Sequence, residues 1–321
     1  MKEKRRTIYY RFVEQVLKAL RIAHVRRFPH KHDPKKYGIW AHAALLALKQ
    51  LEDKSYRFIV DMLEEMQGIL ALLDISQAPH WTTLQKAAKR LQGSFVGKLV
   101  ASYVQRTKSQ RIRAGIDSTG LQPTRASSYY TTILKKDKKK RRKIRRHIKL
   151  STVVDLDHQL PICFKIRRGP ASDHLDSENL VKMAHKIKLL KSLDADKGYT
   201  KERLRALVVE KCEAEDRIKV KNPEVPVWRT KGEYLKKAKR RKLRANYRAK
   251  CETYHSVLKR VTGSTVRAKT VHMQNKEVGF KVLACSALRR AMSSLFKELF
   301  YRAAQDSLIY PSYTQNMNRL P

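Results

Sequence analysis

Acidic residues are scarce in this 321-residue sequence. Asp and Glu number 29 against 72 Lys and Arg, so the formal net charge is +43 at pH 7. Such an excess repels itself in a compact chain and predicts a polyanionic partner, for which nucleic acid is the first candidate. A membrane surface is a weaker candidate, because the basic residues do not line one long amphipathic helix. A basic protein without a polyanionic partner is the remaining alternative.

Cysteines are few and widely spaced. Cys163, Cys212, Cys251 and Cys285 form no Cys-x-x-Cys pair, which argues against a zinc site and against a disulfide framework. Each is interpreted as a small buried apolar residue or an idle thiol. Long apolar runs are also lacking: none approaches the length of a membrane span, and no hydrophobic signal core follows the charged N-terminus. We therefore expect a soluble, cytoplasmic, nucleoid-associated protein with no membrane partner.

Residues 1–108 are predicted to form a helical DNA-binding region. Apolar residues recur at helical spacing in four segments, and Thr82 or Thr83 can cap the last one. The exposed face of that helix carries Lys86, Lys89 and Arg90, which suits a helix-turn-helix-like DNA-binding head. A plain helical bundle that packs on the next domain is an equally open alternative. The four predicted helices are 8–23, 38–51, 55–67 and 82–92.

Residues 109–305 are predicted to form an α/β domain, followed by a flexible tail over 306–321. Alternation of apolar and polar residues predicts a strand that ends at Asp117. The order of three strands, helix, strand, helix, strand and helix indicates a layered α/β arrangement. After the first strand, the predicted strands are 148–156 and 160–167, the helix 174–191, the strand 192–196, the helix 201–213, the strand 217–221, and helix from 234 to about 304.

Three carboxylates occur in distinct local patterns. Asp117 follows a strand in Ile-Asp-Ser-Thr-Gly, Asp196 begins Asp-Lys-Gly-Tyr after an apolar run, and Glu252 lies in a basic helix. Taken singly, each has an ordinary interpretation, as a strand-end cap, a turn residue, or half of an Arg–Glu pair on a solvated helix face. Their joint occurrence in a very basic chain favours metal-dependent phosphoryl transfer on nucleic acid.

Oxygen ligands of this kind suit Mg²⁺ or Mn²⁺. In-line attack on a phosphodiester uses two such ions roughly 3.5–4 Å apart. Two Asp on neighbouring strands and one Glu from a helix above can meet that demand. We predict that Asp117 bridges both ions, that Asp196 binds one, and that Glu252 binds the other.

The Glu252 helix carries cations on the same side as its carboxylate. Arg248, Glu252 and Lys259 are spaced by four and seven residues, so they project to one side together with His255. We predict that Arg248 and Lys259 orient substrate phosphates.

These motifs resemble the insertion-sequence DDE transposases of the groups numbered four and five. The resemblance runs from about residue 38 to about residue 291, and its most specific parts are Asp196-Lys197-Gly198-Tyr199 and the helix with Arg248, Glu252 and Lys259. It implies a ribonuclease-H-like mixed sheet flanked by helices, with a helical N-terminal DNA-binding region. The implied activity is metal-dependent cleavage at element ends, followed by joining of the 3′-hydroxyl to target DNA.

The chain departs from the family pattern before the Glu helix. The family often has a Tyr three residues before the Arg of that helix, where this chain has Ala245, and the nearby Tyr247 lies on another face. The gap between Asp196 and Glu252 is also too short for a large β insertion. Trp228 falls in this gap and can stack on an unpaired base, although a core position is the commoner role for such a residue.

Basic residues are concentrated in two runs. The run from Lys135 to Arg146 is predicted to bind DNA phosphates without reading sequence and to become ordered only on DNA; a solubilising loop is the alternative. A second run, Lys236 to Lys250, leads into Glu252 and is predicted to follow the scissile strand. In the first run the predicted DNA-binding residues are Lys138, Lys139, Arg141, Arg142 and Arg145.

Four other polar residues lie close to these motifs. Hydrogen-bonding or capping roles fit Asp173, His174 and Asp176 better than metal ligation. Asp194 competes with Asp196 as the second acid, because both project to the same face of the predicted strand. The motif favours Asp196.

The sequence thus supports a nuclease and strand transferase that acts on double-stranded DNA, at element ends and at a target. Because two ends are handled together, we expect a homodimer or a higher assembly on DNA. Two alternatives stay open: a hydrolytic DNA nuclease of the same fold that cuts without joining, and a domesticated, inactive DNA-binding protein.

Overall fold

The computed structural model describes residues 6–29, 36–123, 132–136, 141–145, 147–241, 247 and 249–309. A helical N-terminal part precedes a mixed β-sheet, and a long helix follows the sheet. The N-terminal helices are α1 (Ile8–Ile22), α2 (Ile39–Glu52), α3 (Tyr56–Glu65), α4 (Gln67–Leu73), α5 (Trp81–Arg90) and α6 (Gly93–Gln105).

Local chemistry explains where α1 begins and which side of it is buried. The Thr7 side chain accepts a hydrogen bond from the Tyr10 backbone N–H at the N-cap. Phe12, Val16 and Leu20 recur every four residues and are fully buried. The helix predicted over 8–23 is therefore confirmed.

The end of the N-terminal region differs from the prediction. Helix α5 begins at Trp81 after His80, and neither Thr82 nor Thr83 is its N-cap. Instead, the Thr82 hydroxyl pairs with the His80 ring nitrogen at 2.8 Å. Helix α6 follows after only two residues and was not predicted. Its apolar face, with Leu99, Val100 and Val104, is buried in the core.

A mixed sheet forms the centre of the chain. In the described residues its path is β5–β4–β1–β6–β7, with β8 paired to the end of β1. Strand β1 pairs antiparallel with β4 and parallel with β6. The predicted α/β class, a mixed sheet flanked by helices, is confirmed. The strands are β1 (Arg111–Pro123), β2 (Thr132–Lys136), β3 (Arg141–Arg145), β4 (His147–Asp155), β5 (Leu160–Gly169), β6 (Leu189–Ala195), β7 (Glu215–Ile218) and β8 (Thr265–Val266).

Strand β1 is longer than predicted. It continues to Pro123, so Asp117 lies in its middle rather than at its end. The extension is held on one side by β4, which pairs as far as Leu121, and on the other side by Gln122 pairing with Thr265 of β8. Ile112, Ala114 and Ile116 alternate into the core as predicted.

The boundary between α7 (His174–Ile187) and β6 was placed too late in the sequence. The predicted helix over 174–191 ends at Ile187, because Lys188 adopts an extended backbone. Strand β6 then begins at Leu189, which pairs with Arg111 of β1. Pairing with a neighbouring strand thus overrides helical periodicity in this segment.

The next helix and strand are also shorter than predicted. Helix α8 (Glu202–Ala206) passes into a π-helical turn over Leu207–Lys211, and β7 ends at Ile218. A buried ion pair between Arg205 of α8 and Asp216 of β7 joins the two elements at 2.5 Å.

Residues after 233 do not form one helix. They form α9 (Glu233–Arg240), α10 (Ala249–Thr262), β8 and α11 (Val271–Ile309). Gly263 ends α10 with φ +76°, a backbone conformation that other residues adopt at a cost. A Cβ at this position would also meet the Asp53 carboxylate, 2.5 Å away.

Helix α11 packs against α1, α2 and α6 as well as against the sheet. Arg11 forms an ion pair with Glu298, and Arg290 donates a 2.6 Å hydrogen bond to the Tyr103 carbonyl. The fully buried Lys281 donates to the last carbonyl of α10, at Thr262, and lies 3.6 Å from Asp53 at the end of α2. The N-terminal helices and the part of the chain that forms the sheet therefore share one core.

The basic run contains paired strands. Strands β2 and β3 form an antiparallel pair, with Ile133 opposite Ile144. Paired backbone at these positions differs from the expected loop that becomes ordered only on DNA. Residues 137–140 and Arg146 lie outside the described residues.

All four cysteines are free and buried, as predicted. Within the residues that the structure describes, no helix is both long and apolar enough to span a membrane.

Candidate active site

The register of two parallel strands brings the first two acids together. Ile116 of β1 pairs with Ala195 of β6, and each is followed directly by a predicted site residue, Asp117 and Asp196. Neighbouring strands lie about 4.8 Å apart, so the two carboxylates start from adjacent positions. Both residues are half-buried, and Asp196 opens a 3₁₀ turn over Lys197–Tyr199.

Helix α10 packs on the same face of the sheet. Gly115 lies two residues before Asp117, hence on the same side of β1, and Cys251 fills the space where a Gly115 side chain would be. A Cβ at Gly115 would also lie 2.8 Å from Leu156. The close approach of helix to strand places Glu252, the next residue, at the exposed edge of this face.

His255 connects α10 to Asp117. Its Nδ1 lies 3.6 Å from Asp117 Oδ2, and its Nε2 forms a 2.8 Å hydrogen bond with Thr152 Oγ1. Thr152 is the partner of Asp117 across the β1–β4 pair. His255 is 4% exposed and lies three residues after Glu252, on a neighbouring turn of one helix side. Glu252 is therefore on the Asp117 side of the sheet, as predicted.

The sequence predicts that His255 lies on this side of the helix, but it indicates no role for the residue. Its contact with Thr152 joins residues 103 positions apart in the chain. Only the β1–β4 register, which sets Thr152 opposite Asp117, makes that contact predictable.

The donor types fit a divalent metal, but the acids are not gathered into a finished ligand set. Three carboxylates on one sheet face supply the oxygen atoms that Mg²⁺ and Mn²⁺ prefer. Among the described residues, however, no group of three or more His, Cys, Asp or Glu side chains lies close enough to hold an ion. Closure around ions would need movement of these acidic side chains toward one another.

A second polar cluster supports the motif around Asp196. Asp173 accepts hydrogen bonds from Ser118 at 2.5 Å and from the buried Lys149, also at 2.5 Å. Burial opposes ionisation of Asp173, but the bonds from Lys149 and Ser118 outweigh it and lower its pKa. Gly198 lies against this carboxylate, since a Cβ there would be 3.4 Å from Oδ2. Asp173 thus has the hydrogen-bonding role that was expected.

Asp176 and His174 start α7 beside this cluster. Asp176 forms a two-pronged ion pair with Arg167, at 2.5 and 2.6 Å. The pKa of His174 is lowered by burial and by the positive charge of Lys201.

Asp194, the alternative to Asp196 as the second acid, is fully buried and accepts hydrogen bonds from other residues. Its Oδ1 accepts hydrogen bonds from the Tyr247 backbone N–H at 3.2 Å and from Arg217 at 3.4 Å. Burial raises its pKa. Asp194 pairs with Gly115 in the sheet, so it lies on the acid-bearing face but two residues deeper than Asp196.

Tyr247 is held by cations rather than by the acids. The guanidinium of Arg113 lies 4.7 Å from its ring centroid, that of Arg217 lies 5.5 Å away, and the Lys250 ammonium lies 5.3 Å away. This packing fixes the chain just before α10. Arg248 and Ala245 lie outside the described residues.

A cleft of about 540 Å³ opens beside Asp196. His174, Lys197 and Lys221 contribute to its walls, and Asn222 turns the chain there with φ +54°. Two lysines next to a candidate metal ligand make this cleft suitable for a phosphate-bearing strand.

The other predicted DNA-binding residues that the structure describes lie on several elements. Lys259 is half-buried on α10, about two turns beyond Glu252. Trp228 is 73% exposed on a 3₁₀ turn, with the Arg229 guanidinium 4.6 Å from its ring, so the commoner core role is wrong for it. Lys86, Lys89 and Arg90 are exposed on α5; Arg141, Arg142 and Arg145 lie in β3; Lys138 and Lys139 lie outside the described residues.

Comparison with known proteins finds a family model and a solved structure that are similar to this chain. The family model described as "Transposase DDE domain" matches residues 109–286, which include all three acids. No curated protein matches the chain. Among solved structures, the cryo-EM structure of a piggyBac transposase synaptic complex with hairpin DNA is similar at 10% identity and a TM-score of 0.39, covering 97% of this chain and 83% of that one. Because the family model spans more than half of the sequence, this chain belongs to the transposase DDE domain family.

Proposed function

We propose that this protein is a DDE transposase that cleaves DNA at the ends of an insertion sequence and joins the 3′-hydroxyl ends to target DNA. The observation that carries the proposal is the shared face of Asp117, Asp196 and Glu252. The first two follow paired residues of β1 and β6, and α10 packs on the same side of the sheet.

Asp117, Asp196 and Glu252 would hold two Mg²⁺ or Mn²⁺ ions. When bound, the ions supply activation of the attacking oxygen and stabilisation of the leaving oxygen. His255 positions the Asp117 carboxylate from α10, and Thr152 fixes the His255 ring. Lys149 and Ser118 hold Asp173 next to Gly198, which orders the turn that carries Asp196.

The basic residues would hold the DNA. Lys259 and Arg248 lie on or next to the acid-bearing helix and would orient phosphates at the scissile bond. Lys86, Lys89 and Arg90 of the 1–108 region, together with the β2–β3 pair of the 109–305 domain, would extend the contact along the duplex. The exposed Trp228 ring would stack on an unpaired base. Two DNA ends handled together would require a homodimer or a higher assembly.

The proposal is tested by removing each acid in turn. Asp117→Asn, Asp196→Asn and Glu252→Gln keep the side-chain size but remove the charge that holds a cation. Each is expected to abolish Mg²⁺-dependent cleavage of element-end DNA while leaving DNA binding intact. Asp176→Asn is the matched control, because Asp176 forms an ion pair with Arg167 and lies outside the three-acid set. Retained cutting by any one of the three would remove that residue from the site.

The same assay separates transposition from simple hydrolysis. A pre-cleaved element end with a free 3′-hydroxyl is supplied with target DNA, and joined products are measured. Joining by the wild type supports strand transfer. Cutting without joining would identify a hydrolytic nuclease, and the absence of both would identify an inactive DNA-binding protein.

A further inference from the structure

A second basic site lies away from the three acids. A cavity of about 500 Å³ separates the α2–α3 junction and α5 from the segment that leads into α11. We call it the basic cleft. Six cationic side chains line it: Lys49, Lys54, Lys89, Arg267, Lys269 and Lys276.

Negative charge is almost absent from these walls. Glu277 is the acidic residue among them, and its carboxylate accepts the backbone N–H groups of Arg267 at 2.9 Å and Ala268 at 2.8 Å. Asp53, just outside the cleft, forms an ion pair with Arg267 at 3.2 Å. The cationic excess is therefore largely uncompensated by the side chains around it.

Lys49 is the most informative residue of the basic cleft. It is 7% exposed, and its ammonium lies 4.9 Å from the centroid of the Tyr56 ring. No side-chain hydrogen bond or ion pair joins the Lys49 ammonium to another residue in the described part of the chain. Burial lowers its pKa, and the charges of Glu277 and Asp53 act in the opposite direction. A buried ammonium that is not directly bonded to an anion is unfavourable, which favours a ligand at this position.

Two helix N-termini meet at the same cavity. Ser55 caps α3 by accepting the Phe58 N–H, and Thr270 caps α11 by accepting the Met273 N–H. Both capping residues line the basic cleft. The first N–H groups of a helix have no partner within the helix and carry a partial positive charge, which favours a bound anion.

We propose that the basic cleft binds a phosphate group of a DNA backbone, with the Lys49 ammonium and the start of α3 as its centre. The identity of the polyanion rests on the proposed function. A DNA phosphate is favoured over a free anion because Lys89 lies on α5 next to the exposed Lys86 and Arg90. The cleft is thus continuous with a basic helix face that can follow a strand.

The test measures DNA affinity of the full chain as a function of salt. Lys49→Met removes the ammonium and keeps the length of the stem. Loss of one phosphate contact is expected to reduce the slope of log affinity against log salt by about 0.9. The ratio of wild-type to variant DNA affinity should therefore fall about 3.5-fold between roughly 50 and 200 mM salt. Lys182→Met, on the exposed side of α7, is the matched control and should keep the wild-type slope.

A third variant guards against misfolding. Lys49→Arg keeps the charge and should retain the wild-type slope, and the melting temperatures of all variants are compared. A Lys49→Met slope equal to that of the wild type, in a variant that melts like the wild type, would overturn the proposal. If Lys49→Met fails to fold, Lys49→Arg provides the test instead. This variant keeps the positive charge, so a slope lower than that of the wild type would overturn the proposal.

A phosphate titration separates the two sources of the anion. Inorganic phosphate that raises the melting temperature of the wild type but not of Lys49→Met, together with the smaller DNA slope, supports the proposal. The same stabilisation with an unchanged DNA slope would identify a free-anion site and exclude DNA as the occupant. A wild type that binds no DNA at any salt concentration would refute the proposed function itself, and with it the DNA occupant.

Discussion

Gly115 is the residue on which the position of the Glu252 helix depends. The Cys251 sulfur occupies the space beside its Cα, and Leu156 closes the other side. Any side chain at Gly115 would push α10 away from β1 and carry Glu252 away from Asp117. The family motifs mark the acids. Gly115, two residues before Asp117, sets how closely the Glu252 helix approaches the strand that carries Asp117.

Gly115→Ala is therefore expected to destabilise the fold by about 1–3 kcal/mol, as overpacking in a close-packed core does. Urea unfolding followed by circular dichroism measures the change. The double variant Gly115→Ala/Cys251→Ala should recover part of the loss, because the sulfur no longer fills the space. Equal stability of the single variant and the wild type would show that the contact is looser than described.

Predictions from sequence were sound where they depended on neighbouring residues. The alternation of Ile112, Ala114 and Ile116 located the central strand, and the Asp-Lys-Gly-Tyr motif located the turn at Asp196. They failed where distant pairing decides the structure. The extension of β1 to Pro123 needs β8, a strand of two residues, and no local pattern marks it.

At the scale of elements, an ion pair ties the turn between β4 and β5 to the central strand. Arg113 of β1 holds the Asp157 carboxylate with hydrogen bonds of 3.0 and 3.2 Å from Nε. Arg113 lowers the pKa of Asp157 mainly through these hydrogen bonds. The strands on either side of this turn were predicted, over 148–156 and 160–167. The attachment of the turn to Arg113 was not.

The lowered pKa of Asp157 has a defined effect on stability. A carboxyl with a lower pKa in the folded state stabilises the fold above its unfolded pKa of about 3.9, and the effect is lost as the pH falls through the folded value. Asp157→Asn should therefore be less stable than the wild type at pH 7, by about 0.2–1 kcal/mol for a partly exposed pair. The gap should close below about pH 4. Urea unfolding of both proteins between pH 3 and pH 7 measures it, and a constant gap would contradict the assignment.

Helix boundaries were predicted correctly where nearby residues set them and wrongly where pairing with a distant strand sets them. The predicted α1 was confirmed because its cap and its apolar spacing are local. The end of α7 was placed four residues too late, since Leu189 and Leu190 continue the helical pattern but pair with β1 instead. Helix α6 was not predicted, although it lies within the predicted helical region 1–108 and its apolar face is regular.

At the scale of the whole molecule, the long helix α11 completes the core of the N-terminal helices. Helix α11 covers the apolar sides of α1, α2 and α6, and the Arg11–Glu298 pair spans 287 positions of the chain. Packing alone therefore does not separate residues 1–108 from the rest of the chain.

A fragment of residues 1–108 is expected to lack a cooperative thermal transition, because it leaves those apolar sides exposed to water. Differential scanning calorimetry of the fragment and of the full chain tests this. A fragment that melts sharply and binds DNA unaided would establish an independent N-terminal domain.

Lys281 links two helices of this shared core. Its ammonium bridges the last carbonyl of the helix that bears Glu252 and the aspartate that ends α2. A tilt of the N-terminal bundle as it grips a duplex would be transmitted through this bridge to the base of the acid-bearing helix. Under the proposed function, binding of DNA by the N-terminal helices would thereby act on the helix that carries Glu252.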